Sequence, residues 1–573
     1  MKVRVLLALV ASVFSFALAP TPAHAGGLEF AAPGTAALGR GGAAYARPGD
    51  PMALWFNPAN LADLQGIQLS LQTHLVLYEA CHAREGTYGA YSGAAANDPE
   101  WESGRLGFAG SPGEGTVDGT FAGGELFSVD GDNPLPRVCN SAPPGVVPEL
   151  VLSWRLHRRV GIGIGFVAPA APSHVVYGST TRTPDGQRYV GTANGLPAPT
   201  RYNLIEQQLL AGWPTIGVGV NIHKRFRVGG AFGWGFALAE FDSIVRATRG
   251  ENFAGDVRAQ LSMKDTFVPR ITVSAHAVPH DNLDVSFTFS WTDDVKASGD
   301  VTLTSGYYRT EQLERLQIRS GSLTVPQPWQ MALGIRYADR IVPRADDPDQ
   351  VAQLSRRVED PMANERFDVE LAVVYERNSR VDEYGVNMGT CVAPTATSRG
   401  TYTSTDLGGG VTTDNCGAGG TYVIEADNNF SATLPPTLVI PHNWKDSLSI
   451  RLGGDYNIMP GLAAVRLGFS FETKGIEDGY EQLDFLPFMR LGVHAGLTMR
   501  LGMFDVSLAY AYIHQFDTTV SLDDAGLQQI NADARLAELA GETPAFGPGT
   551  IINGGRFSSR FNVVSLGLTY HFR

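Results

Sequence analysis

The chain has 573 residues, 66 glycines, four cysteines and a formal net charge of −14. The acidic balance and the lack of a basic cluster exclude a nucleic-acid binder. After residue 25 no unbroken apolar stretch reaches the ~18 residues of a membrane-spanning helix, and no linker or composition break divides the chain beyond residue 66.

Residues 1–25 begin with Lys2 and Arg4, continue in an apolar run from Val5 to Ala19, and end in Ala23-His24-Ala25. A positive start, a short apolar core broken by Pro20 and Pro22, and a small-x-small ending describe a secretory signal peptide. The mature chain is expected to begin at Gly26. Residues 26–66 are rich in Gly and Ala, with few polar groups to keep them soluble alone. Leu54-Trp55-Phe56 lead into Asn57-Pro58. Pro58 fixes a turn, Asn57 can hydrogen-bond nearby backbone, and the aromatic pair needs an apolar surface.

From residue 67 the hydrophobic period becomes two. Ile67, Leu69, Leu71, Leu75 and Leu77 oppose Gln68, Gln72 and His74. Further along, Leu448, Ile450, Leu452 and Tyr456 oppose Ser447, Ser449, Arg451 and Asp455. Each such run is a strand with one apolar and one polar face. Strands are predicted near 67–78, 148–156, 160–170, 203–222, 226–241, 263–277, 282–293, 325–337, 367–379, 446–458, 462–473, 488–500, 504–515 and 558–572. They reach the length at which a tilted strand crosses a bilayer, ~9–11 residues, where ordinary strands have about five or six.

The connections alternate. "LHRRV", "HKRF", "PHDN", "IMPG" and "RLGM" are tight, whereas 79–147, 171–200, 242–262, 294–323, 380–443 and 517–556 are long. Short turns on one side and long loops on the other mark an outer-membrane barrel. The fold class is therefore all-β: a transmembrane antiparallel β-barrel of about fourteen strands. Residues 67–573 form the barrel, and residues 26–66 are expected inside it as an N-terminal hatch. One connection breaks the rule. Residues 340–366 are long and charged, with a helix-like "DQVAQLSRRVED", where a short turn belongs.

The third strand reads VGIGIGFVAPAAP. Pro169 and Pro172 lack the N–H that a closed ladder needs, and Gly161, Gly163 and Gly165 add slack. An opening in the wall is expected there, or an early end to the strand. Cys81 and Cys139 share one long loop, and Cys391 and Cys416 another. An exported chain with an even count favours disulfides, so these two pairs are expected. Their spacings match no zinc pattern. No cofactor is expected.

The stretch from Gly26 to Leu64 resembles the start of the FadL/TodX-type outer-membrane family of long-chain fatty-acid and hydrocarbon transport proteins. The resemblance rests on Leu38-Gly39-Arg40-Gly41 and on Asn57-Pro58-Ala59. It recurs at "LTVPQPWQMALGIRY" and "NWKDSLSIRLGGDY". It implies a fourteen-stranded barrel, a hatch carrying these residues, uptake of hydrophobic molecules, and lateral exit where the third strand is kinked. Leu28 matches an apolar hatch residue that touches ligand. Where the family places a basic residue near the top of the fifth strand, this chain has Glu240-Phe241-Asp242-Ser243. Phe241 is thus a candidate for an apolar pocket, without a carboxylate anchor beside it.

The favoured function is a channel for hydrophobic solutes in the outer membrane of a Gram-negative cell. Its expected partners are a fatty acid or hydrocarbon ligand and the surrounding lipid and lipopolysaccharide. It is expected to act as a monomer. The alternative is a water-filled porin or a structural or adhesive barrel, against which an apolar hatch argues. An outer-membrane enzyme would need a placed nucleophile and base, and no G-x-S-x-G elbow occurs.

Overall fold

The computed structural model describes residues 32–85, 88–91, 106–109, 135–168, 174–182, 188–194, 196–246, 256–307, 313–344, 360–407, 414–427, 430–527 and 551–572. Fourteen strands form a closed antiparallel barrel. They are β1 (Ile67–Arg84), β2 (Gly145–His157), β3 (Val160–Val167), β4 (Glu206–His223), β5 (Phe226–Arg246), β6 (Asp256–His280) and β7 (Leu283–Thr292). The second half comprises β8 (Gln330–Arg340), β9 (Glu365–Glu376), β10 (Ser447–Met459), β11 (Ala463–Glu472), β12 (Arg490–Leu501), β13 (Phe504–Val520) and β14 (Gly555–Phe572). Each strand pairs with its neighbours in sequence. The seam joins first to last, from Ile67↔Phe572 to Arg84↔Gly555.

The alternation read in the sequence sorts side chains across the wall. Leu71, Leu467 and Leu566 stand 53%, 66% and 53% exposed on the outside, whereas His74, Glu149 and Arg466 are buried inside. An apolar exterior around a polar interior is the pattern of a barrel in lipid. At the turn end, Gly461 and Gly502 take φ of 80° and 64°, which lets two tight reversals form. Phe504, Tyr570 and Phe572 pack together there, with ring centroids 4.8 and 4.6 Å apart, and supply an interfacial aromatic group.

The long connections are not plain loops. β6 runs for 25 residues. The sheet also continues beyond the barrel through Val295–Thr304, Glu314–Val325, Glu383–Asn387, Tyr402–Asp406 and Thr437–Pro441. Unpaired backbone groups in these stretches are met by ladder bonds, as buried amides require. Disulfides join Cys81 to Cys139 and Cys391 to Cys416. The first sits where Cys81 and His82 of β1 pair with Val138–Cys139.

The helix-like part of 340–366 lies, apart from Asp360, outside the described residues. Its two ends fold onto the turn-side mouth. Arg340 pairs with Glu365 at 3.3 Å, Arg344 with Asp284 at 3.0 Å, and Arg500 with Asp360 at 2.6 Å.

Candidate functional site: the barrel lumen

The lumen is occupied by the chain's own residues 32–64. A short helix α1 (Thr35–Gly39) is followed by α2 (Ala53–Phe56) and a 3₁₀ turn, Pro58–Asp63. Gly34, Gly41 and Gly42 take φ of 85°, 66° and 80° around α1, conformations that a side chain resists. Pro58 opens the 3₁₀ turn, where its missing N–H costs nothing. Asn57 is fully buried, and its Nδ2 donates to the Tyr45 carbonyl at 2.7 Å. This bond ties the turn to the preceding loop. Asn57→Ala removes it, at ~1 kcal/mol. Amides of residues 45–60 are then expected to exchange about fivefold faster, with the strands unchanged. Equal acceleration in the strands would show that Asn57 supports the barrel rather than the turn.

The segment is not simply apolar, as its Gly/Ala content suggested. Trp55, Phe56, Leu54 and Leu61 are buried, but so are Arg40, Arg47 and Asp63. Arg40 donates to Asp368 on β9 at 2.6 Å and to Asp455 on β10, and lies 3.6 Å from Glu370. Its Nε donates to the Ala43 carbonyl at 2.9 Å. Arg47 reaches Asp455 at 2.9 Å, and Asp63 pairs with Arg227 on β5. The Gly34 amide donates to Glu149 at 2.8 Å, and Arg270 stacks 4.1 Å over Trp55. A polar wall demands partners from whatever fills it, and the segment supplies them.

The wall is also shaped for the segment. A Cβ built on Gly229 would fall 2.2 Å from the Ala59 nitrogen; on Gly453, 2.0 Å from the Arg40 carbonyl oxygen; on Gly468, 2.1 Å from the Arg40 carbonyl carbon. On Gly161 it would fall 1.9 Å from the Leu61 carbonyl oxygen. Gly161 and Gly163, read in the sequence as slack, are therefore contact points for Leu61. Gly165 abuts Val151 and Leu150 of β2 instead.

At the turn end the lumen keeps a polar cavity of ≈ 50 Å³, lined by Arg47, Asp50, Arg466, Arg500, Asp505 and His571 among others. Arg500 bridges Asp505 (2.7 Å) and Asp360 (2.6 Å), and His571 lies 2.8 Å from Asp505. At the opposite mouth, residues 481–488 cross between distant strands. Leu483 N donates to Asn203 Oδ1 at 3.0 Å, Tyr177 Oη to the Leu483 carbonyl at 3.2 Å, and Gln515 Nε2 to the Leu486 carbonyl. Burial, and then the nearby Asp484 charge, pushes the Tyr384 phenol well above its ordinary value, so it stays protonated. This crossing segment has no alternation, and the sequence carried no sign of it.

Of the residues singled out in the sequence, Leu38, Gly39, Arg40, Asn57, Pro58 and Ala59 lie in the lumen, all buried. Phe241 is half-buried against the outer apolar cluster and pairs with Gln207. Leu28, Pro169 and Pro172 lie outside the described residues. On either side of those prolines, β3 pairs with β2 as far as Phe166↔Leu150 and with β4 as far as Val167↔Trp213. Pairing with β4 resumes at His174↔Gln208. β4 carries its own proline, Pro214, opposite Phe166. The Phe166 ring rests on Gly212, where a Cβ would fall 2.4 Å away. The sequence reading passed over Pro214, although a proline inside a strand is a visible signal.

No protein-family model matches the chain, and no curated protein sequence matches it. Solved structures do. A FadL homologue from Pseudomonas aeruginosa aligns with a TM-score of 0.61 over 96% of this chain and 100% of its own, at 12% identity. The P. putida toluene transporter TodX aligns with a TM-score of 0.54 over 95% and 99%, at 12% identity. The Ralstonia pickettii toluene transporter TbuX aligns with a TM-score of 0.50 over 94% and 98%, also at 12% identity. The chain thus has the fold of the FadL/TodX-type barrels over nearly its whole length. A closed single-chain barrel with an even strand count and an apolar exterior is an outer-membrane architecture.

Proposed function

We propose that the protein is an outer-membrane channel for the uptake of hydrophobic small molecules, fatty acids or hydrocarbons, with release sideways into the bilayer at β3. The observation that carries this reading is the filled lumen. Residues 32–64 leave no wide aqueous path for ions or sugars, and they act as a hatch. The shared fold supports it, since two of the solved barrels are described as toluene transporters. Ligand contacts from Leu28 and Phe241 belong to the same reading.

The sideways step is supported by the chemistry of the two possible exits. A solute moving straight on would meet Arg500, Asp505, Asp360 and His571 at the turn end. An apolar molecule gains nothing from ion-paired charges and water. Pro169 and Pro172, which follow β3 in the sequence, have no N–H to give to a ladder, Pro214 on β4 lies opposite Phe166, and lipid lies outside.

The test is Pro169→Val with Pro172→Val, which restores two ladder donors. Binding of an apolar solute to purified protein is expected to hold within about twofold, because the hatch is untouched. Uptake by cells is expected to fall at least about tenfold. Normal uptake through a wall shown to be paired through residue 172 would end the lateral route and leave passage down the lumen.

A further inference from the structure

The outer end of the lumen contains a cluster of aromatic and polar side chains, part of the buried apolar core there, that the hatch does not touch. Tyr384 and His442 stack with ring centroids 3.6 Å apart. Trp444 stands edge-on to His442 at 6.0 Å and to Phe485 at 6.0 Å. His442 is fixed between the Ile440 carbonyl at 3.0 Å and Asp484 Oδ2 at 2.8 Å. Gln207 of β4 donates its Nε2 to the Asp484 carbonyl at 3.5 Å, and Phe241 is its partner on β5.

Three side chains here bury hydrogen-bonding atoms that no described residue meets: Tyr384 Oη, Trp444 Nε1 and Gln207 Oε1. The three are 2%, 3% and 1% exposed. Buried polar atoms are almost always partnered. Three orphans beside one set of stacked rings point to a ligand that meets them. The indole N–H only donates, the amide oxygen only accepts, and the phenol does either. A hydroxyl, which gives one bond and has two lone pairs to receive others, complements that set. A carboxylate only accepts, and it would sit near the Asp484 carboxylate in a poorly solvated place, where like charges repel strongly. The surrounding rings offer faces and edges to a flat aromatic body.

We propose that Tyr384, His442, Trp444 and Asp484 form an outer binding site for a neutral, hydroxyl-bearing aromatic solute, rather than for a fatty-acid carboxylate. This rests on the channel reading and narrows its substrate class. The hydroxyl accepts from the Trp444 N–H and the Tyr384 O–H and donates to Gln207 Oε1. Its ring packs against Phe485 and Phe241.

Calorimetric titration of the purified full-length barrel, corrected against empty micelles, tests it with three probes that share a ring and differ in the head group. They are 4-ethylphenol, ethylbenzene and 4-ethylbenzoate. 4-Ethylphenol is expected to bind about tenfold more tightly than ethylbenzene, and 4-ethylbenzoate more weakly than either. Trp444→Phe and Tyr384→Phe each keep an aromatic ring and remove the polar atom. Each is expected to bring 4-ethylphenol within about twofold of ethylbenzene. The site is overturned if 4-ethylphenol and ethylbenzene bind alike to the native protein, if the preference survives both substitutions, or if 4-ethylbenzoate binds tightest. In those cases the channel reading stands, because ethylbenzene still binds. If none of the three binds, the channel reading falls and the site falls with it.

Discussion

Deleting residues 26–60 is expected to turn a closed barrel into a conducting one, with single-channel conductance in planar bilayers rising about tenfold or more. The strands keep every ladder bond, because none of their pairings involves the deleted residues. What leaves is the filling: α1, α2 and the start of the 3₁₀ turn, whose side chains are nearly all buried against the wall. Water and counter-ions then reach Asp368, Glu370, Asp455 and Glu149, which the deleted residues had partnered. Charges so exposed are stable in water, so heat-resistant folded barrel should still be recovered. Since those groups are carboxylates, the opened pore should prefer cations. Unchanged conductance would mean that another part of the chain closes the lumen, and the role of residues 26–66 as a hatch would be lost.

Arg40→Met should loosen residues 32–64 from the wall while leaving the chain otherwise intact. Arg40 is wholly buried and faces three carboxylates. Asp368 keeps Arg336, and Asp455 keeps Arg466 and Arg47, but among the described residues Glu370 is left with only the Ala46 amide. Removing one member of a buried ion pair costs about 3–5 kcal/mol. That cost falls on the seating of the segment, because the acids belong to the wall and the lost cation to the filling. Brief proteolysis of protein in detergent should therefore cut within residues 32–64 in the variant and spare them in the native chain. Arg40→Lys restores the charge without the planar fork, and should fall between the two. Equal protection in Arg40→Met and the native chain would show that the glycine bed alone holds the segment.

Much of this was legible in the sequence. All fourteen strands were found, because a wall with lipid on one face and polar lumen on the other imposes strict alternation on each. β3 ended earlier than read, at Val167 rather than residue 170, since the apolar run continues past the last described ladder bond. Positions in the lumen were legible only as a segment. Arg40 stood out through its motif and Asp455 through its place on the polar, inward face of its strand, but nothing matched Asp368 or Asp455 to Arg40, because an acid on the inward face of a strand looks like any other polar residue there. The outer aromatic cluster escaped for another reason. His442 and Trp444 meet Asp484 only because residues 481–488 turn inward, and such a turn leaves no periodic trace. The long connections were expected as loops. Their strands extend the sheet with short, irregular runs whose alternation is too brief to separate from chance.

The contacts at Gly161, Gly229, Gly453 and Gly468 carry one more consequence, which concerns exchange between proteins. Their hollows copy the outline of Leu61, Ala59 and Arg40 at distances too short for even a methyl group. A filling segment grafted from another barrel of the same fold would bring bulk to different places and leave these hollows empty. A wall grafted around this segment would collide with it. Contacting positions of this kind do not vary independently. Residues 32–64 and the barrel that follows are therefore expected to change only as a matched pair, and chimeras that join one chain's start to another's strands should assemble poorly unless the glycines travel with the segment they cradle.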